Sequence, residues 1–306
     1  MINVDSLHLG RFVHVSIKLP VAPHWLCITR EGQGMNIVKR GRAMWPKAQF
    51  AYRGDPRFSY CMHLPASAHS VGSKPRLLVA MHGSGRGCMA YRDALIPFAE
   101  ANNVVVLAPL FPVGVLGDDN ADGYKYIAEG ELRYDHILLG MVDEISEIVG
   151  CPFDLFHLFG FSGGGHFAHR FYYLHPDRLA SVTVGAPGGV TLLDNTRDFW
   201  IGTRDFAARF GTSPNLDAMR RVPSQLLVGA EDTQEFVYPP AVAHHAADME
   251  SLGKNRLQRN ETLFRNWLDH GLPSERSVLP GIAHEGLRVI PAVEDFLART
   301  ISTTGS

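Results

Sequence analysis

The chain has 306 residues, 45% of them apolar and 20% charged, with a formal net charge of −2. These are ordinary globular values, and they exclude a disordered, fibrous or coiled-coil chain. The weak net charge and scattered Lys and Arg offer no field for nucleic acid or an anionic membrane surface, and no stretch reaches the roughly 18 apolar residues that span a bilayer.

Four cysteines, Cys27, Cys61, Cys88 and Cys151, stand far apart with no C-x-x-C pair. That spacing argues against a zinc site and a dense disulfide framework. The N-terminus has no basic start followed by an unbroken apolar run, so it does not read as a signal peptide and a cytoplasmic location is expected.

Along the chain, Val13, Val15, Ile17 and Leu19 alternate with His14, Ser16 and Lys18, the pattern of a half-buried antiparallel strand. Residues 20–57 carry Pro20, Pro23, Pro46 and Pro56 and read as loops and short edge strands. A second alternating segment covers 58–64. The expected organisation is an N-terminal extension over 1–57, an added strand pair or a contact between copies in a homo-oligomer, followed by one large domain over 58–306. From there the pattern changes to short continuous apolar runs at 77–81, 104–108, 155–159, 182–186 and 226–229, each bounded by Gly, Pro or Asp. Runs without alternation suit strands covered on both faces, hence a parallel sheet between helices.

The segments between them carry helical spacing. Tyr134, Ile137, Leu138, Met141, Ile145, Ile148 and Val149 predict a helix over 132–149. Residues 241–270 read as one long helix closed by Gly271, and Pro291, placed as a first-turn proline, opens a last helix carrying Val293, Phe296, Leu297 and Ile301. Strand–helix alternation predicts right-handed crossovers and a doubly wound α/β sheet.

Gly160-Phe161-Ser162-Gly163-Gly164 follows the run at 155–159 and precedes a helical stretch. A nucleophilic serine needs its oxygen projecting from a sharp strand-to-helix turn, and the glycines permit that backbone. Upstream, Met81-His82-Gly83-Ser84-Gly85-Arg86-Gly87 is rich enough in glycine for its backbone to approach a reacting carbonyl. The N–H groups of Ser84 and Gly163 are the expected pair of oxyanion donors, with Gly85 the weaker alternative to Ser84. A phosphate-binding loop would need a Gly-Lys-Ser/Thr that is absent. His82 reads as a structural histidine.

Asp232, in Val228-Gly229-Ala230-Glu231-Asp232-Thr233, lies just past a strand end and is the acid candidate, with Glu231 its competitor. An aspartate there can equally cap a turn. His284, in Pro280-Gly281-Ile282-Ala283-His284-Glu285-Gly286, follows a strand at 276–279 and is the candidate base. Of the 15 histidines, His157, His166, His169 and His175 read as structural, and His244 and His245 as a solvated helix face. What joins Ser162, Asp232 and His284 is their order, nucleophile–acid–histidine, each at a strand's C-terminal end.

On the HGSGRG, GFSGG, VGAEDT and PGIAHEG segments, over roughly residues 58–300, the sequence resembles the α/β-hydrolase superfamily, and within it carboxylesterases and the polyhydroxyalkanoate-depolymerase-like or feruloyl-esterase-like branch. The resemblance implies an eight-stranded, mostly parallel sheet, a short cap between strands six and seven at about 187–222, and an ester-cleaving serine hydrolase working through an acyl-enzyme on a small-to-medium ester. The N-terminal 57 residues depart from the family pattern. Phe199, Trp200 and Phe206 in the cap are candidate substrate contacts, although plain core packing accounts for them equally well. Tyr124, Tyr126 and Tyr134 are further neighbours of the site.

The same triad can serve an acyltransferase, an amidase or a C–C bond hydrolase, and the fold can carry a non-catalytic ligand-binding protein. Dehalogenase and epoxide-hydrolase chemistry would need a carboxylate where Ser162 stands. No metal cluster or dinucleotide fingerprint appears in the sequence, so no cofactor and no metal are expected, and the expected partner is a small-molecule ester.

Overall fold

In the computed structural model, residues 47–70, 72–236 and 246–303 are described. They fall in the second of two compact units of the chain, Val38–Ser306. The alternating segment at 9–19, Cys27, and the His244–His245 pair lie outside the described residues.

The runs without alternation form the middle of one sheet. Its strands are β1 (Gln49–Ala51), β2 (Ser59–His63), β3 (Arg76–Met81), β4 (Val104–Leu110), β5 (Phe156–Phe161), β6 (Leu179–Gly185), β7 (Ser224–Gly229) and β8 (Ser274–Leu279). Their spatial order is β1-β2-β4-β3-β5-β6-β7-β8. β2 runs antiparallel to β1 and β4, and every other pairing is parallel.

The sheet separates two cores, which explains why its strands lack polar alternation. Leu77, Val79 and Met81 of β3 face one cluster, while Leu78 and Ala80 face the other. The first is covered by α3 (Tyr134–Val149), α4 (Gly163–Leu174) and α8 (Arg256–Asp269). The second is covered by α1 (Cys88–Ala94), α2 (Ile96–Asn102) and α9 (Ile290–Thr303). Each fully buried aliphatic or aromatic side chain contributes about 1.5–3 kcal/mol, so the sheet is a rigid platform for whatever its loops carry.

The helix expected over 132–149 begins at Tyr134, after a two-stranded ribbon of Ala128–Glu129 and Leu132–Arg133, and ends at Gly150 with φ +71°. The single helix expected over 241–270 is not formed. The described part breaks into α7 (Ala246–Ser251) and α8, with Gly253 at φ +119° between them. The Asn255 side chain caps α8 by accepting a bond from the Gln258 N–H at 3.0 Å. Apolar periodicity runs through this break, and the asparagine cap decides it. Gly271 does close the helix, at φ +70°, its N–H donating to the Leu268 carbonyl.

Between β6 and β7 the chain forms the cap region, with α5 (Phe206–Phe210) and α6 (Leu216–Met219). No helix among the described residues is long and apolar enough to cross a membrane.

Candidate active site

Ser162 sits at the turn from β5 into α4 with φ 58° and ψ −116°, a backbone a non-glycine residue adopts only under constraint. The constraint is visible. The Ser162 N–H donates to the Gly185 carbonyl at 2.8 Å, and the Ser162 carbonyl accepts from the His166 N–H, the first bond of the helix. A Cβ on Gly160 would lie 2.1 Å from the Gly164 carbonyl oxygen, and one on Gly164 would lie 2.4 Å from that of Met81. The elbow is therefore packed backbone against backbone, and its glycines are spatial requirements.

His284 lies in the loop after β8, and Asp232 in the loop after β7. The Ser162 hydroxyl donates to His284 Nε2 at 2.9 Å, and His284 Nδ1–H donates to Asp232 Oδ2 at 2.6 Å. The two partners fix the tautomer. Asp232 is only 2% exposed, whereas its competitor Glu231 is exposed, and the imidazole bonds Asp232. The loops are stitched together: Ala230 N–H donates to the Leu279 carbonyl and Glu231 N–H to that of Ile282. The His284 ring lies against Phe161, with centroids 4.9 Å apart.

The glycine-rich loop after β3 reaches the elbow from the other side. A Cβ on Gly163 would stand 3.1 Å from the Ser84 nitrogen, so the Ser84 backbone lies against the residue that follows Ser162. The Gly163 N–H belongs to the first helical turn, where no intrahelical acceptor exists. His82 holds this loop, as a structural histidine does: Nδ1–H donates to the Gly83 carbonyl at 2.8 Å, and Nε2 accepts from the Phe111 N–H at 3.0 Å. Burial pushes His82 down to about 4 and keeps it neutral.

Residues 123–126 also touch the elbow. The same Cβ position on Gly163 would be 2.2 Å from the Tyr124 hydroxyl and 3.1 Å from Lys125 Cε. On the acid side, Arg256 Nη1 lies 3.5 Å from Asp232 Oδ1. Sequence reading singled out neither Lys125 nor Arg256; each is an ordinary charged residue in its own segment, and only the fold brings it here. His166 and His169 on α4 accept N–H bonds from Gly189 and Thr191, tying the elbow helix to the cap.

Phe199 and Trp200 line a cleft of about 520 Å³ together with Tyr126, Phe210 and Arg209. Phe206, by contrast, is fully buried against Phe199, Phe210 and Tyr173, leaving it no surface to offer a ligand. Arg170, completely buried, stacks between the rings of Tyr126 and Phe199 at 4.8 and 5.3 Å.

One group among the described residues has metal-ligand spacing: Asp135, His136 and His175. It is already occupied by a cation of the chain. Arg133 binds both carboxylate oxygens of Asp135, at 2.9 and 2.7 Å, and His175 adds a contact at 2.7 Å. Burial would raise Asp135, but these bonds outweigh it and hold the carboxyl down at about 2. The group is held as an ion-pair network centred on Asp135. Cys61, Cys88 and Cys151 are free thiols.

No family model and no curated protein matches the chain. Solved structures do. The poly(aspartic acid) hydrolase-1 of Sphingomonas sp. KT-1 superposes with TM-score 0.61 at 20% identity, over 78% of this chain and 91% of that one. The LpqC poly(3-hydroxybutyrate) depolymerase of Bordetella parapertussis gives 0.62 at 21%, over 78% and 85%. A ferulic acid esterase gives 0.55 at 15%, over 83% and 96%. With the eight-stranded sheet and the elbow after β5, these likenesses establish the α/β-hydrolase fold.

Proposed function

We propose that the protein is a serine hydrolase that cleaves a carboxylic ester through an acyl-enzyme. The observation that carries this reading is the unbroken hydrogen-bonded line from the Ser162 hydroxyl through His284 to Asp232. Ser162 Oγ attacks the ester carbonyl while His284 Nε2 takes its proton, and Asp232 stabilises the imidazolium. The Ser84 and Gly163 N–H groups receive the oxyanion. His284 then returns the proton to the leaving alcohol and activates water to free the acid. The named activities of two similar structures, a depolymerase of a polyester and a ferulic acid esterase, agree with this chemistry.

The cleft beside Phe199 and Trp200 is the proposed seat of an apolar or aromatic substrate group. It shares Tyr126 with the turn whose Tyr124 and Lys125 abut Gly163. Labelling with a fluorophosphonate, followed by peptide mapping, tests the reading. Modification at Ser162, lost in Ser162→Ala, is the expected result; an unlabelled Ser162 in folded protein overturns it.

A further inference from the structure

The chain as a whole is slightly acidic, at −2, yet the surroundings of Ser162 are rich in cations. Lys125 places its Cε 3.1 Å from the Cβ position of Gly163. The Arg86 guanidinium lies 5.1 Å over the ring of Tyr124, whose hydroxyl abuts the same glycine. Arg170, two turns along α4 from Ser162, donates to the Lys125 carbonyl. Arg256 sits against Asp232.

The matching acids are few. Asp122 pairs with Lys125 at 2.5 Å, and its side chain is 54% exposed. Asp232 is shared between His284 and Arg256. Glu285, next to His284, is taken by Arg288 at 2.8 Å, and Glu231 is exposed to solvent. Arg86 bonds only carbonyl oxygens, those of Ser84, Ala121 and Phe111. Arg170 bonds the Thr191 hydroxyl and a carbonyl, and its Nη2 finds no acceptor. Glu129, which abuts Gly123, is taken by the Tyr134 hydroxyl and the Asn120 side chain, so among the described residues Asp122 is the carboxylate paired with Lys125.

Positive charge gathered around a site concentrates anions there. Lys125 is the cation that reaches the Gly163 backbone, and its ammonium rides a flexible stem. Its present partner, Asp122, is open to solvent on its own side, so the pair is partly screened and a substrate anion can compete for the ammonium. From this geometry we infer that Lys125 is a specificity residue, selecting esters that carry a carboxylate or similar anionic group close to the scissile carbonyl. The inference rests on the hydrolase reading above and narrows its substrate class.

Two pairs of aryl esters test it, each differing only in charge: a glutarate monoester against its neutral amide, and an acetoxybenzoate against the acetoxybenzamide. The first pair places the charge on the acyl side, the second on the leaving group, with spontaneous hydrolysis subtracted. The charged member of one pair should show kcat/KM about tenfold higher, and about 0.5 M salt should narrow the gap. Lys125→Gln should abolish the preference through KM, and Lys125→Arg should retain most of it. Equal rates within both pairs overturn the proposal. So does a Lys125→Gln loss shared equally by charged and neutral esters, which would mark a general role at the oxyanion. Failure to cleave any of the four, with Ser162 unlabelled, would instead overturn the hydrolase reading and this proposal with it.

Discussion

The Arg256 guanidinium approaches Asp232 through Oδ1, the oxygen that His284 does not use, at 3.5 Å. The acid is thus held from both sides: one oxygen orients the imidazole, and the other faces a cation at the first turn of α8. A buried carboxylate with an unmatched oxygen would be free to rotate away from the imidazole.

Arg256→Gln is expected to lower kcat by about tenfold, roughly the worth of one hydrogen bond to a charged group. Asp232→Asn should cost about four orders of magnitude by presenting the wrong partner to Nδ1, while Glu231→Gln leaves turnover near that of the parent. Steady-state kinetics on one activated ester ranks the three; an Asp232→Asn enzyme with near-parental kcat would contradict the assignment.

Gly163 is fixed by what surrounds it. Gly163→Ala drives a methyl to 2.2 Å from the hydroxyl of a tyrosine that is 1% exposed, and the displaced N–H should cost about two to three powers of ten in kcat. Adding Tyr124→Phe removes the nearest obstructing atom, so the double variant is expected to regain part of the loss. If it recovers nothing, the obstruction lies elsewhere.

Acid should unfold the protein earlier than its composition suggests. Burial lowers both His82 and His157 to about 4 from the ordinary 6.5. Because the folded values lie below the unfolded ones, the unfolded chain takes up these protons first. Stability is then lost as the pH falls from about 6.5 towards about 4, by about 3 kcal/mol for each ring. Melting temperatures measured across that range should fall steeply. His157→Gln should flatten the slope, since it removes a titrating ring held only by the Ser181 hydroxyl; an unchanged slope would rule that ring out.

Much of this was legible in the sequence, for physical reasons that differ by element. The central strands were readable because β3 buries Leu77, Val79 and Met81 on one side and Leu78 and Ala80 on the other, leaving no polar period to confuse with a helix. The turn at Ser162 was readable because its backbone needs glycine around it. Asp232 and His284 could be ordered from topology, but that Asp232 rather than Glu231 bonds the imidazole needed coordinates, since adjacent residues in a loop differ only in where they point. Arg256 and Lys125 left no mark at all. Their placement comes from a closure over 24 residues to Asp232 and from a turn folded onto Gly163, and neither has a local signature. The break at Gly253 was missed because hydrophobic spacing carries across a capped interruption.

His82 joins two loops that leave the sheet from neighbouring strands: one nitrogen grips the Gly83 carbonyl and the other the Phe111 amide beyond β4. If Ser84 and Gly163 serve as the proposed oxyanion donors, such a rivet means that they are assembled when the chain folds, before any substrate arrives. Turnover would then begin without a lag, and a rigid inhibitor and a flexible one of equal size would meet the same preformed surface.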